Sequence, residues 1–176
     1  MCPDYIPDGS SNNCSSVSNR PYINGDQLSC DDINSSFNSC YPSGCDGFSL
    51  ADFSGRVIWI LYEEDWWGSC YDEIPEVEDI MLEYINNPNV AIINFLADGA
   101  TPKTCEDWGE EGAINFPIIV DDQIYGLSSW FGITWESPRH VFIDHNFNLV
   151  GISGSKNEVE GIIEGMLDEM ENEWIK

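Results

Sequence analysis

Two apolar runs, residues 57–62 and 90–96, flank one stretch of helical periodicity, and this order restricts the fold more than any other feature of the chain. Each run has the length and composition of a buried strand. Between them, residues 70–84 place Ile74, Val77, Ile80, Met81 and Tyr84 on one helical face. Pro75 falls early enough to kink that helix without ending it. A strand–helix–strand unit implies parallel pairing through a crossover. Downstream, the pattern predicts a short helix at 102–108, a strand at 118–120 and a helical turn at 127–131. Two strands follow at 140–143 and 149–152, with Asp144, His145 and Asn146 in the turn between them. A closing helix at 158–175 puts Val159, Ile162, Ile163, Met166, Leu167, Met170 and Trp174 on one face. The closing hairpin implies an antiparallel edge. The expected architecture is α/β, a mixed central sheet flanked by helices, over residues 48–176.

Residues 1–47 have a different texture. They are rich in Ser, Asn, Asp, Gly and Pro and carry no helical or strand period. They read as an irregular, Cys-rich leader: a linker stapled to the domain, with a partner-binding collar as the alternative. Five of the seven cysteines lie here, at Cys2, Cys14, Cys30, Cys40 and Cys45; the others are Cys70 and Cys105. This density points to an oxidising compartment. Zinc is the competing reading, but no CxxC pair occurs and both His lie far downstream, so no metal is expected. Cys14, Cys30, Cys40 and Cys45 are the disulfide candidates for two bridges, with Cys70 facing Cys105. Cys2 directly follows Met1. A mature bacterial lipoprotein starts at a lipid-bearing Cys, so Cys2 is a lipidation candidate and a candidate membrane tether. Asn13 and Asn34 sit in glycosylation-type triplets, relevant only in a eukaryotic secretory host.

The 32 acidic residues against 6 basic ones give a formal charge of −26. Such a surface repels nucleic acid and anionic membranes, so neither is an expected partner. It suits saline or extracellular surroundings, or a cationic partner. No apolar run reaches the roughly 18 residues of a membrane-spanning helix.

Several stretches, taken in order, carry a family likeness. FSLADFSGRV at 48–57 resembles "F-x-L-x-D-x-x-G-K-x". WWGSCYDEIP at 66–75 resembles "W-C-x-x-C-x-x-E-x-P". FPIIVD at 116–121 resembles "F-P-x-x-x-D". Residues 125–133 and 138–144 resemble "Y-x-x-x-x-G-V … P-x-x-F-x-I-D". Together they resemble the thioredoxin superfamily, and within it the TlpA-like and redoxin (AhpC/TSA-related) branch, from about residue 48 to 174. The resemblance implies a thioredoxin-like fold and thiol–disulfide chemistry with protein or peptide thiols and disulfides, and no cofactor.

In that family the first Cys of the pair attacks from a helix N-terminus, where the dipole favours its thiolate. Here Trp67 occupies that position, and an indole cannot attack a disulfide. Cys70 matches the second, resolving Cys. The acidic Glu63, Glu64 and Asp65 just before it disfavour a thiolate, so Cys70 is expected to react sluggishly. Pro138 resembles the family's cis-proline. Trp66, Trp67, Gly68, Ser69, Trp135, Ser137 and Pro138 form the expected substrate groove, and Trp130 is expected near the same end. His140 reads as a strand residue and His145 as a turn residue.

Peroxiredoxins, the sister branch, need a Pro seven residues before the reactive Cys and a Thr or Ser three before it. Relative to Cys70 those places hold Glu63 and Trp67, and the family's Arg falls at Pro138 beside Arg139. The 35-residue spacing of Cys70 and Cys105 nevertheless resembles some peroxiredoxin pairs. A bridge there would act as a staple or as a redox couple.

Three functions follow. The first is an extracytoplasmic (secreted, periplasmic or lipid-anchored) thiol–disulfide oxidoreductase relative, at most Cys70-based, with Cys105 as the candidate second catalytic residue. The second is a redox-inactive peptide-binding or chaperone-like module that uses the cis-proline groove. The third is an atypical peroxidase. A UGA codon at position 67, read as selenocysteine in nature, is a further idea that the gene settles. The sequence leaves the oligomeric state open.

Overall fold

The computed structural model describes residues 13–42, 45–64, 68–97, 105–111, 119–134 and 137–175. The chain runs α1 (Cys30–Ile33), β1 (Phe37–Asn38), β2 (Asp46–Phe48), β3 (Val57–Glu64), α2 (Gly68–Tyr84), β4 (Val90–Ala97), α3 (Cys105–Glu111), β5 (Ile119–Asp121), α4 (Asp122–Tyr125), β6 (Arg139–Ile143), β7 (Leu149–Ser153) and α5 (Val159–Trp174). Short 3₁₀ turns cover Leu50–Phe53, Leu127–Phe131 and Lys156–Glu158.

Five strands make the main sheet, in the order β5-β4-β3-β6-β7. The central strand β3 pairs parallel to β4 and antiparallel to β6, so all eight of its residues are buried. β5 extends the parallel half and β7 closes the antiparallel half. This is the expected mixed sheet, with α2 crossing between the two longest strands.

Strand alternation sorts the core into two layers. Ile58, Ile60 and Tyr62 of β3 join Ala91, Ile93 and Phe95 of β4 on one face. Val57, Trp59 and Leu61 join Ile92 and Leu96 on the other, where they meet Cys70, Val77 and Met81 of α2 and Val159, Ile163 and Met166 of α5. The amphipathic faces read from the sequence for α2 and α5 are the ones that pack. The side chain of Trp174, expected on the α5 face, lies outside the described residues.

The leader departs from the expectation of a stapled linker. Tyr22, Leu28, Ile33 and Phe37 are all buried in the first layer of the core. Phe37 alone meets the rings of Phe48, Phe95, Tyr125 and Trp130, with centroids 5.2–6.1 Å apart. The leader backbone docks on the hairpin of β6 and β7: Leu28 N–H donates to Phe147 O at 2.9 Å, and Leu149 N–H to Asp26 O at 2.8 Å. Buried Asp32 accepts from Ser18, Arg20 and Tyr22, and Arg20 also lies 3.8 Å over the Trp130 ring. Burial pushes the Asp32 carboxyl up, but the hydrogen bonds from Arg20, Tyr22, Ser18 and Ser29 outweigh it and hold its pKa below the ordinary value. A leader that forms no long helix or strand still supplies two of the nine buried aromatic residues of this core layer, Tyr22 and Phe37, because scattered single apolar residues suffice when other elements provide the surface.

Two disulfides join described residues. Cys14–Cys30 closes a loop within the leader, and Cys40–Cys105 ties the leader to α3. Cys45 is also disulfide-bonded. The expected two bridges among Cys14, Cys30, Cys40 and Cys45, with connectivity left open, become one, because Cys40 bonds to Cys105, and the expected Cys70–Cys105 bridge does not form. Cys105 opens α3 where Cys40 passes, with Cα atoms 5.9 Å apart. Cys70 faces another way, inside α2, and is a free thiol. The lipidation candidate Cys2 lies outside the described residues.

Candidate functional site

The first turn of α2 carries Ser69 and Cys70 against the loop that precedes β6. The Ser137–Pro138 peptide bond in that loop is cis, as the family likeness implied. Ser69 Oγ donates to Ser137 O at 3.3 Å. Cys70 Sγ lies 3.1 Å from Ser137 Oγ, and that hydroxyl also reaches Tyr62 O at 3.5 Å. Of the expected groove residues, Ser69, Ser137 and Pro138 therefore come together, with Gly68 just before Ser69 at the start of α2. Trp66, Trp67 and Trp135 lie outside the described residues. Trp130 does not belong here: it is buried in the opposite core layer, under Phe37 and Arg20. Its helical turn faces the leader, which the sequence pattern had no means of showing.

An open cleft of about 320 Å³ lies beside the cis-proline, lined by Ser69, Asp72, Glu73 and Pro138 and by residues 154–157. Lys156 on its rim pairs with Glu76 at 2.6 Å. The cleft combines hydroxyl, carboxylate and backbone groups, a surface suited to an extended polar chain rather than to an apolar small molecule.

The cysteine behind the cleft is 0% exposed. Burial pushes its thiol up to about 11. A backbone hydrogen bond from Glu64 and the Ser137 hydroxyl pull the other way, while the charges of Glu63 and Glu64 add a smaller push upward. Sluggishness was expected from poor access one turn inside the helix and from the neighbouring acids; of the two, burial is the larger cause. At neutral pH the thiolate fraction is on the order of one in ten thousand.

Beneath the start of α2 lies a buried polar cluster that the motif reading passed over. By alternation, Glu63 of β3, Asn94 of β4 and His140 of β6 all face the α2 side of the sheet. Asn94 Nδ2 donates to Glu63. Burial raises the Glu63 pKa to about 8; the hydrogen bond from Asn94 and the nearby Trp108 indole oppose this, and the Glu73 charge adds to it. Glu63 is therefore largely a neutral acid at pH 7. Trp59 Nε1–H donates to His140 Nδ1 at 3.3 Å, which assigns the ring proton to Nε2. That nitrogen faces Glu73 Oε1 at 3.5 Å. His140 is the expected strand residue and His145 the expected turn residue, the latter 2.9 Å from Glu173. The signal for Asn94 was present in the sequence: it is the one polar residue in the run 90–96. Glu73 stood inside the quoted motif without a role assigned to it.

With Cys105 bonded to Cys40, the candidate catalytic pair Cys70 and Cys105 is not a couple in this structure. The arrangement offers a cleft, a cis-proline and one occluded thiol.

Comparison with known proteins bears on both fold and site. The AhpC/TSA family model matches residues 41–153. The thioredoxin-like protein YneN of Bacillus subtilis (strain 168) is 26% identical over 73 residues, which are 42% of this chain and 43% of that protein. The chain thus spans less than half the length of this relative. Among solved structures, a secreted thiol–disulfide isomerase from Corynebacterium glutamicum superposes with a TM-score of 0.66 at 15% identity, over 85% of this chain and 90% of that one. An exposed lipoprotein thioredoxin of Streptococcus pneumoniae gives 0.60 at 15% identity, over 76% and 98%. A secreted Mycobacterium tuberculosis disulfide oxidoreductase homologous to E. coli DsbE gives 0.59 at 14% identity, over 78% and 99%. At these identities the likeness is one of fold.

Proposed function

Because the chain belongs to the AhpC/TSA family, we propose that it is an extracytoplasmic thioredoxin-like protein that engages extended segments of other proteins at the cleft beside Pro138, without running a dithiol cycle of its own. It is a relative of thiol–disulfide oxidoreductases, and the chemistry of those relatives needs an accessible thiolate. The observation that carries the proposal is the state of Cys70: fully buried, bonded to Ser137 Oγ, and pushed up to about 11 by burial. The sequence resemblance puts Trp67 in line with the relatives' attacking Cys, which supports this reading. The same burial argues against a Cys70-based peroxidase, since peroxide must reach the sulfur. Disulfides within the leader and between leader and α3 support an oxidising compartment, and the secreted and lipoprotein neighbours point the same way.

Two measurements test this reading. Ellman titration of the native protein is expected to find no fast thiol, and insulin reduction is expected to run at the same background rate for wild type and Cys70→Ser. One fast thiol per chain, together with turnover lost in Cys70→Ser, would instead establish a Cys70-based oxidoreductase. For the binding half, reduced and carboxymethylated α-lactalbumin serves as an unfolded probe in a calorimetric titration. Asn157→Trp places an indole in the cleft and is expected to weaken binding at least tenfold. Absence of any binding by wild type sinks the proposal.

A further inference from the structure

We infer that the cleft beside Pro138 selects segments that carry a Lys or Arg side chain, and that the carboxylates of Asp72 and Glu73 receive that side chain. This rests on the binding reading and names the chemistry of its ligand.

The two acids are neighbours on the second turn of α2, and both line the cleft. Their surroundings differ. Asp72 is exposed, whereas Glu73 is only 8% exposed. The cleft therefore presents one carboxylate in water and one nearly out of it.

The chain itself neutralises neither. Among the described residues, no Lys or Arg pairs with Asp72 or Glu73, and neither accepts a hydrogen bond. The group that faces Glu73 is His140 Nε2, 3.5 Å from Oε1 and not hydrogen-bonded to it. The two cations at the cleft are engaged elsewhere. Lys156 Nζ pairs with Glu76 at 2.6 Å. Arg139 Nη1 donates to Pro138 O at 3.2 Å, and its guanidinium lies against Gly154. With 6 basic residues against 32 acidic ones, the chain has few further cations to offer.

A carboxylate this far out of water has lost most of its hydration, and the cost stands until a donor arrives. A neutral backbone N–H supplies one hydrogen bond and leaves the negative charge in place. A Lys or Arg head supplies donors and charge together, in bonds roughly twice as strong as neutral ones. Its methylene stem suits the face of Pro138, since such stems lie along apolar surface while the head stays among polar groups. The same two carboxylates repel acidic and phosphorylated segments, so the cleft discriminates by charge as well as by shape. The net charge of −26 acts at longer range and draws cationic segments towards the surface.

The test compares two forms of one unfolded probe, reduced and carboxymethylated α-lactalbumin with its lysines intact or acetylated, in calorimetric titrations at low ionic strength. Wild type is expected to bind the intact form at least tenfold more tightly. Asp72→Asn, Glu73→Gln is expected to bind the two forms within threefold of each other. Glu169→Gln, Glu171→Gln removes the same charge from exposed positions near the far end of α5 and is expected to keep the tenfold preference, which separates the cleft from the general field. Circular dichroism checks the fold of each variant. If Glu73→Gln disturbs it, Asp72→Asn alone, at an exposed position, is expected to narrow the preference to below fivefold. The inference is overturned by a wild-type preference below threefold, by a tenfold preference that survives in the folded Asp72 and Glu73 variants, or by its loss in the α5 variant. In those outcomes the intact probe still binds and the binding reading stands. Binding of neither form overturns that reading itself, so the two failures are distinguishable.

Discussion

On one face of the sheet, the leader lays Tyr22, Leu28, Ile33 and Phe37 onto an aromatic layer, and its buried carboxylate Asp32 accepts from Ser18, Arg20 and Tyr22. On the other face, α2 covers a layer that contains Glu63, Asn94, His140 and a free thiol, where Asn94 Oδ1 and His140 Nε2 lack hydrogen-bond partners. Unsatisfied polar groups cost stability when buried. The first face is built to hold, and the second keeps titratable groups out of water next to a cleft. Stability and reactivity are thereby separated by the thickness of one sheet.

The largest expected effect probes the holding face. Phe37→Ala should destabilise the protein by about 4 kcal/mol in urea unfolding, because it removes a ring packed among four others. A loss below about 1 kcal/mol would break the comparison and return the leader to the role of a tether. Next, Asp32→Ala should cost about 3 kcal/mol at neutral pH, since it strands Arg20 and Tyr22 without their acceptor. The pKa of Asp32 is lowered by folding, so its contribution is present above the unfolded value and lost as pH falls through the folded one. The variant and wild type should converge in acid.

Glu63 has the opposite sign. Its folded value is raised from 4.5 to about 8, so the native state keeps a proton that the unfolded chain releases. Wild-type stability should therefore fall as pH climbs through that window. Glu63→Gln mimics the neutral acid and should be more stable than wild type at pH 9, with no gain near pH 4. Thermal melts of both proteins across pH check this, and parallel curves would show that Glu63 is not the buried neutral acid described. The smallest effect belongs to the cleft rim. Lys156→Ala removes an exposed pair with Glu76 and should change stability by less than about 0.5 kcal/mol. A larger loss would mean that the rim, too, is part of the holding structure.

Much of this was legible in the chain before folding. The apolar runs at 57–62 and 90–96 and the periodicity at 70–84 lead directly to β3, α2 and β4, because burial on both faces of a central strand demands an unbroken apolar run. The motif around Cys70 and the proline at 138 come together in the structure beside one cleft. Trp130 was assigned to the wrong layer, because a residue in a short irregular turn has no period to declare its face. Cys105 was paired with the wrong partner for a related reason: spacing along the chain says nothing of which cysteines meet across a sheet.

The order of strands and helices and the position of the thiol on α2 are properties of the sequence itself, since each depends on local period or on residue identity. The occlusion of Cys70, the proton held by Glu63, the leader's place in the core and the Cys40–Cys105 tie were decided only in three dimensions. Each depends on desolvation or on contact between segments tens of residues apart, and neither quantity exists until the chain has closed on itself.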